Sequence, residues 1–538
     1  MPFNTKALRM ILLIGLATAA QADDSTQPPV GSGNPVPDLA ICAGCHQANG
    51  GGVEALGAPR LAAMGASYLA QQIANFKDGH RQHSLMTPWA KLLTEAEIRA
   101  MSEHFAALPP ASNAEPPADV DPEIGRRLAL YGDWPGRRLP ACGQCHGPLG
   151  IGVGEHFPAL AGQPYSYLVG QLTAWTSGER GGDPLGMMGA INARLSVAET
   201  RSVAAFYASL PAARSVDLAG RINRGEIQPE AATTPTPGPN AAPAPHPGQV
   251  TSGRAPGPSG HFTPPARDDK PSDAFGEMVA LGEAIFTHTD SHAISGQYVG
   301  NRQVCEDCHL DAGRLADAAP MWAAWVAYPA YRAKDNRVST IIERIQGCFT
   351  YSMNAQASEV GHPPTAESQT IHALASYLYW LATGAPTGDR TMPGRGYPKL
   401  AETELGFDPD RGAAVYERAC AICHGADGEG GQAGDQRVFP PLWGASSYNW
   451  GAGMHNIDTA AAFIKTNMPL GNFLELSDQE AWDVAAFINA QERPRDPRFT
   501  GDLAETTARF HDSRFDYHGK RAGPDGQPLG ASEPKPAR

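Results

Sequence analysis

The sequence predicts a mainly α protein of four small helical units, set out as two pairs joined by a flexible linker. Three observations carry that prediction. A Cys-x-x-Cys-His pentapeptide occurs four times, a helix-start signature recurs after three of the copies, and a long Pro, Ala and Gly stretch separates the second copy from the third. The chain has 538 residues, a length that suits about three to five domains rather than one core. Its 59 Gly and 48 Pro exceed ordinary usage, so loops occupy much of it. Lys and Arg number 42 against 56 Asp and Glu, a net charge of −14. That balance argues against a nucleic-acid partner and requires any positive site to be local.

At the start, Lys6 and Arg9 precede an apolar run from Met10 to Ala17 and then Ala20-Gln21-Ala22. This is the layout of a cleaved export signal over residues 1–22. No later run has the 18 or so consecutive apolar residues of a membrane span. A periplasmic protein without a transmembrane segment after signal cleavage is expected.

Eight of the nine cysteines fall in Cys42-Ala43-Gly44-Cys45-His46, Cys142-Gly143-Gln144-Cys145-His146, Cys305-Glu306-Asp307-Cys308-His309 and Cys420-Ala421-Ile422-Cys423-His424. Two thiols at that spacing can form thioethers to both vinyl groups of one haem while the adjacent histidine reaches the iron. A zinc half-site or a redox dithiol would account for one copy, not for four in an exported chain. Four covalently bound haem c groups are expected, with His46, His146, His309 and His424 as proximal ligands.

The first two units read as duplicates. Pro59, Leu61, Tyr68, Leu69, Met86, Leu93 and Leu108-Pro109 align with Pro158, Leu160, Tyr167, Leu168, Met188, Leu195 and Leu210-Pro211. Each aligned leucine introduces a capping box, Thr94-x-x-Glu97 and Ser196-x-x-Glu199, which starts a closing helix. Leu476 before Ser477-x-x-Glu480 repeats the device in the fourth unit, with Trp482, Ala485 and Ile488 at helical spacing. A thioether opposite histidine raises the potential of haem iron and suits electron transfer. Met86, Met188 and Met468 are therefore the expected sixth ligands. Met187 is a rival in the second unit, and Met454, His455 and Lys465 are rivals in the fourth.

Residues 23–212 resemble the cytochrome c-four family, periplasmic dihaem carriers made of two class I cytochrome c folds. The paired haem motifs, Phe157-Pro158-x-Leu160-Ala161-Gly162-Gln163 and Met188 ahead of Leu195-Ser196 carry the resemblance, with a looser first copy at Ala58-Pro59-Arg60-Leu61-Ala62. It implies electron shuttling without substrate chemistry. Four class I cytochrome c-type domains are expected in all, at 23–112, 113–213, 273–395 and 396–497. Residues 214–272 read as an extended linker, and residues 498–538 as a polar tail packed on the surface or left disordered.

The leftover Cys348 lies in the third unit, four residues after Arg344 and so on the same face of a helix. Around it, residues 332–344 hold Arg332, Lys334, Arg337 and Arg344 against Asp335 and Glu343. Guanidinium forks suit a tetrahedral oxyanion, and Ser352 adds a hydroxyl. A small sulfur oxyanion fits better than an organic substrate because few pocket-lining aromatic residues are evident. Cys348 is a candidate sixth haem ligand, with Met321 and Met353 as rivals and a buried apolar thiol as the bland alternative.

Residues 273–497 resemble the dihaem thiosulfate dehydrogenases that form tetrathionate. The motifs are Cys305-Glu306-Asp307-Cys308-His309-Leu310-Asp311-Ala312-Gly313-Arg314, Tyr328-Pro329-Ala330-Tyr331-Arg332-Ala333-Lys334-Asp335, Arg344-Ile345-Gln346-Gly347-Cys348-Phe349 and Ser352-Met353-Asn354. The whole chain resembles a fusion of such an enzyme with its cytochrome acceptor. The resemblance implies His309 and Cys348 as axial ligands at the active haem, a second haem relaying electrons, and arginines holding thiosulfate. One departure is that Asn467, not lysine, precedes Met468, which puts lysine ligand switching at the fourth haem in doubt. The expected reaction takes two thiosulfates to tetrathionate with Cys348, Arg344, Arg332 and Ser352 as the catalytic set. Electrons leave to a downstream carrier or terminal oxidase. The alternatives are a substrate-free multihaem wire, a tetrathionate reductase, or an enzyme conjugating thiosulfate.

Overall fold

The computed structural model describes residues 39–213, 260–332, 336–434, 436–472 and 475–533. The expected export signal and residues 214–259 of the expected linker lie outside the described residues. The architecture is mainly helical. In three units the pentapeptide is bracketed by a pair of crossing helices. These pairs are Glu123–Tyr131 with Val197–Ser209, Ala274–Thr287 with Gln369–Leu381, and Pro409–Ala419 with Asp478–Asn489. The crossings are close because each has a glycine at the contact. A Cβ on Gly282 would sit 2.1 Å from the Ala373 carbonyl oxygen, and Gly125 and Gly412 are equally tight against Ser202 and Asp483. In the first unit, the helix Leu39–His46 carries the pentapeptide, and Ala66–Asp78 packs on Glu95–Ala107.

All three expected capping boxes form. Thr94, Ser196 and Ser477 accept from the amides of Glu97, Glu199 and Glu480, whose carboxylates bond back. A fourth box, Thr340 with Glu343, starts the helix Ile341–Tyr351 that bears Arg344 and Cys348. Among the described residues the strands form two antiparallel pairs. β1 (Ala330–Arg332) pairs with β2 (Arg337–Ser339), Tyr331 opposite Val338, and β3 (Gly431–Ala433) pairs with β4 (Gln436–Phe439).

The first two units exchange matching contacts, as their duplication leads one to expect. Arg81 donates to the Tyr167 hydroxyl at 3.0 Å, and Arg180 to the Tyr68 hydroxyl at 3.1 Å. The third unit buries Trp322, Ile371, Tyr377 and Phe349 in its core, and the fourth buries Trp482, Val484 and Ile457.

Two boundaries differ from expectation. Residues 260–272 are packed on the third unit rather than forming linker: Arg314 donates to the Pro265 carbonyl, and Arg267 reaches Glu283 and, at 2.7 Å, Asp311. Composition alone missed this, because the anchors are isolated charges in a Pro-rich segment. The expected tail is folded through residue 533 and includes the helix Leu503–Phe510. His511 lies between two buried carboxylates, Asp496 at 2.9 Å and Asp516 at 2.7 Å, and Asp516 also meets His455 at 2.9 Å. Arg498 clasps Asp496 at 2.6 Å, and the His518 ring stacks on His511 with centroids 3.9 Å apart.

Candidate haem sites and the cavity beside Cys348

The four pentapeptide histidines share one device. Each donates its Nδ1 proton to a backbone carbonyl on the segment facing it: His46 to Pro59 at 2.9 Å, His146 to Pro158 at 2.8 Å, His309 to Ala319 at 2.8 Å and His424 to Pro440 at 2.9 Å. Tying Nδ1 fixes the tautomer and leaves the Nε2 lone pair for a metal. Burial pushes His309 down to about 4 and holds the other three below the ordinary imidazole value, so all four rings are neutral at neutral pH.

Two cavities show the fit to haem. One of about 170 Å³ has Cys142, Cys145 and His146 in its wall, with Met187 and Met188 also lining it. The second, about 250 Å³, has Cys305, Cys308 and His309 in its wall together with Cys348. Both combine the thioether-forming pair and the free imidazole nitrogen with apolar walls, as a covalently bound porphyrin requires.

In the larger cavity the helix Ile341–Tyr351 places Arg344 and Cys348 on the wall, and Ser352, Met321 and Met353 line it too. Arg332, at the end of β1, does not line the cavity. Its Nη1 lies 3.9 Å from where a Cβ of Gly347 would be, over the helix turn next to Cys348. Arg337, part of the basic run, pairs at the surface with Glu343 at 2.7 Å, and Lys334 lies outside the described residues. Phe286, Phe349, Tyr328 and Tyr448 also line the cavity, so the expectation of few aromatic walls is corrected: a haem pocket needs apolar faces whatever its substrate. Sequence reasoning also missed Arg395 and Tyr448, and it named only as a fourth-unit ligand candidate the cavity-lining Met454. The last two come from the fourth unit, more than 90 residues beyond Cys348, and no spacing in the sequence points to them.

The sixth-ligand candidates are placed as follows. Met86 opens the helix Met86–Leu92 and is half-buried. Met187 is buried in an apolar cluster with Phe157 and Phe439, whereas its neighbour Met188 is half-buried at the cavity wall. Met468 ends the helix Ile457–Asn467 and packs on the fourth unit's core. Of its rivals, Met454 packs on the same core and also lines the third unit's cavity, His455 bonds Asp516, and the Lys465 ammonium donates to the Leu476 carbonyl at 2.6 Å and pairs with Asp478 at 3.0 Å.

The third and fourth units are joined at the pentapeptide itself. Arg437 pairs with Asp307 at 2.9 Å, and Gln303 donates to the Pro441 carbonyl at 2.6 Å. Across the joint between the second and fourth units, Arg138 donates to the Thr466 carbonyl at 2.8 Å, Arg194 to the Gly471 carbonyl at 2.8 Å, and Asn472 to the Leu185 carbonyl at 2.7 Å.

Helical units with Cys-x-x-Cys-His segments and carbonyl-tied histidines define a c-type cytochrome with covalently bound haem c. Family descriptions agree: "Cytochrome c" matches residues 39–108, "SoxA/TsdA, cytochrome c domain" residues 297–387, and "Cytochrome C oxidase, cbb3-type, subunit III" residues 407–488. A thiosulfate dehydrogenase of Thiomonas intermedia is 50% identical over 276 residues, covering 51% of this chain and 84% of that protein. A thiosulfate dehydrogenase electron acceptor of the same organism is 43% identical over 207 residues, covering 38% of this chain and 91% of that one. The solved thiosulfate dehydrogenase TsdBA of Marichromatium purpuratum superposes with a TM-score of 0.81 at 53% identity, covering 91% of this chain and 96% of that one. The chain belongs to the thiosulfate dehydrogenase family, in the form that carries the enzyme and its electron acceptor on one polypeptide.

Proposed function

We propose that this protein is a periplasmic enzyme that oxidises two thiosulfate ions to tetrathionate in the cavity beside Cys348 and delivers the electrons to the acceptor half of its own chain. The observation that carries the reading is the convergence of a haem-binding pentapeptide, Cys348, Arg344 and Ser352 on one cavity, in a chain of this family. A substrate-free wire has no use for an arginine, a serine and a spare cysteine on that wall.

Four haem c groups are held, one by each pentapeptide, through Cys42 and Cys45, Cys142 and Cys145, Cys305 and Cys308, and Cys420 and Cys423. Met86, Met188, Cys348 and Met468 would help hold the haem irons; Met321 and Met353 remain the rivals of Cys348. When bound, haem supplies iron that accepts and passes on single electrons. The protein's task is to bring two dianions together. At about 4 Å, each pair of like charges repels by ~4 kcal/mol even at an effective dielectric constant of 20. Arg344 offsets that repulsion from the cavity wall and Arg332 from over Gly347. The Arg344 fork takes sulfonate oxygens, Arg332 acts through its charge alone from outside the cavity wall, and Ser352 offers a further hydroxyl. The outer sulfur of thiosulfate then faces the soft sulfur of Cys348, one helical turn beyond Arg344. One S–S bond forms between the two outer sulfurs, each thiosulfate gives up one electron, and no proton is exchanged.

Replacing Cys348 with Gly tests the reading. The variant should keep four haems per chain and lose thiosulfate-dependent haem reduction. Near-native turnover would refute it.

A further inference from the structure

The chain's last segment brings together a group of side chains that the reaction does not use. His455 ends the short turn Gly453–His455 of the fourth unit, and His511 and Asp516 follow the helix Leu503–Phe510. Donor atoms of these three residues all lie within 4.8 Å of one another. None of the three is more than 5% exposed, and Trp450 meets the His455 ring edge-on.

Every inner donor atom is aimed by an outer bond, as in metal-binding sites where a histidine's second nitrogen is held by a carbonyl or carboxylate. His455 Nδ1 bonds the Ala452 carbonyl, and His511 Nε2 bonds Asp496 Oδ2 at 2.9 Å. Asp496 is in turn clasped by Arg498 at 2.6 Å. Asp516 Oδ1 accepts from the His518 amide at 2.9 Å, which turns Oδ2 toward the two rings.

Protons alone serve this cluster poorly. Both imidazoles face an oxygen acceptor at both nitrogens, and a neutral imidazole has one proton for two such partners. All four contacts are satisfied only if both rings are imidazolium, two buried cations with ring centroids 5.1 Å apart. A divalent cation removes the conflict, because each ring then keeps one proton on its outer nitrogen and offers its inner lone pair. Two imidazoles and one carboxylate suit zinc, with water in the fourth position, rather than the oxygen-only sites of calcium and magnesium. Zinc bonds of about 2.0–2.2 Å set neighbouring donors roughly 3.3 Å apart, so the 2.9 Å and 2.7 Å contacts to Asp516 would open by about half an ångström.

We propose that His455, His511 and Asp516 hold a zinc ion that staples the chain's last segment to the fourth unit. Coordination bonds form to His455 Nε2, His511 Nδ1 and Asp516 Oδ2, protons held between the rings and Asp516 leave to water, and nothing is oxidised or reduced. In the ion-free form protons stand in its place and His511 carries charge. The ion takes no part in thiosulfate oxidation, and the inference does not rest on that reading. Its reach is indirect: the turn it fixes includes Met454 and adjoins Ala452, both on the wall of the cavity beside Cys348.

The test uses the full-length four-haem protein, treated with a chelator that leaves covalent haem in place, and zinc alone as the probe. Calorimetry should find one zinc per chain, and absorption at the zinc X-ray edge should show nitrogen and oxygen donors without sulfur. Zinc should lengthen the proteolytic lifetime of residues 498–533 about tenfold or more. His455→Gln, which keeps an amide donor for Asp516, should weaken zinc binding by about 100-fold and abolish that protection with four haems still held. Should this variant not fold, the X-ray edge and the protection of the native chain decide. Sulfur donors at the edge, no saturable binding, or binding that leaves residues 498–533 unprotected would overturn the site.

Discussion

Arg344 offers the sharpest perturbation of the substrate site. It stands on the wall of the 250 Å³ cavity, one turn before Cys348 on a helix anchored by the Thr340 and Glu343 capping box. A charge-assisted hydrogen bond to an anion contributes about 1.5–3 kcal/mol. At about 1.4 kcal/mol per tenfold, Arg344→Met should lower kcat/KM for thiosulfate roughly 10- to 150-fold. Arg344→Lys keeps the charge but not the planar fork, so its loss should be smaller. The assay is steady-state thiosulfate oxidation with ferricyanide as acceptor, read beside the haem absorption spectrum to show that the pocket is intact. On the proposed reading Arg344 holds the substrate before and during S–S bond formation, so KM should rise along with any fall in kcat. A value of kcat/KM within threefold of native in Arg344→Met, with four haems present, would refute the assignment. So would a pure kcat effect, which would place the guanidinium away from the bound anion.

Four further outcomes follow from the packing. His511 is buried, which works against its charge, but the carboxylates of Asp496 and Asp516 outweigh burial and hold its pKa above the ordinary imidazole value, while both aspartates are held well below theirs by His511, with Arg498 or His455. The raised histidine stabilises fully below about pH 6.5 and loses its contribution as pH rises through its folded value; the lowered aspartates stabilise above about pH 4 and lose theirs as pH falls. Protease resistance of residues 498–533 should therefore peak between those limits, and His511→Leu, which takes one partner from each of two buried carboxylates still held by Arg498 and His455, should weaken this segment by about 1–3 kcal/mol. Gly282→Ala drives a methyl group into the Ala373 carbonyl and should destabilise the third unit by about 1–3 kcal/mol, measured by denaturant unfolding followed in the haem band. Thr340→Ala removes the cap of the Cys348 helix and should cost about 1 kcal/mol in the same measurement.

What could be read from the sequence was what is local in it. The pentapeptides, the duplicated first half and three capping boxes are short patterns whose meaning depends on neighbours a few residues away. The Thr340 and Glu343 box was equally visible and supports the helix most relevant to chemistry. What could not be read depends on distant partners. Nothing near Tyr448 or Met454 says that they face the cavity of the preceding unit. The end segment looked featureless because its buried carboxylate Asp516 finds one of its partners far away in the chain: His455 is 61 positions earlier. The Pro-rich stretch hid Arg267 and Lys270, whose acidic partners lie in the third unit. The basic run around Cys348 was read as one patch, yet the fold sends Arg337 to the surface and keeps Arg344 inside.

The hydrogen bonds between the Leu185 and Gly471 loops make the two halves co-adapted parts rather than interchangeable cassettes. An acceptor half borrowed from another organism would have to bring matching donors at 138 and 194 and an oxygen for Asn472. A chimaera assembled on haem motifs alone would fold as two cytochromes with misaligned contacts.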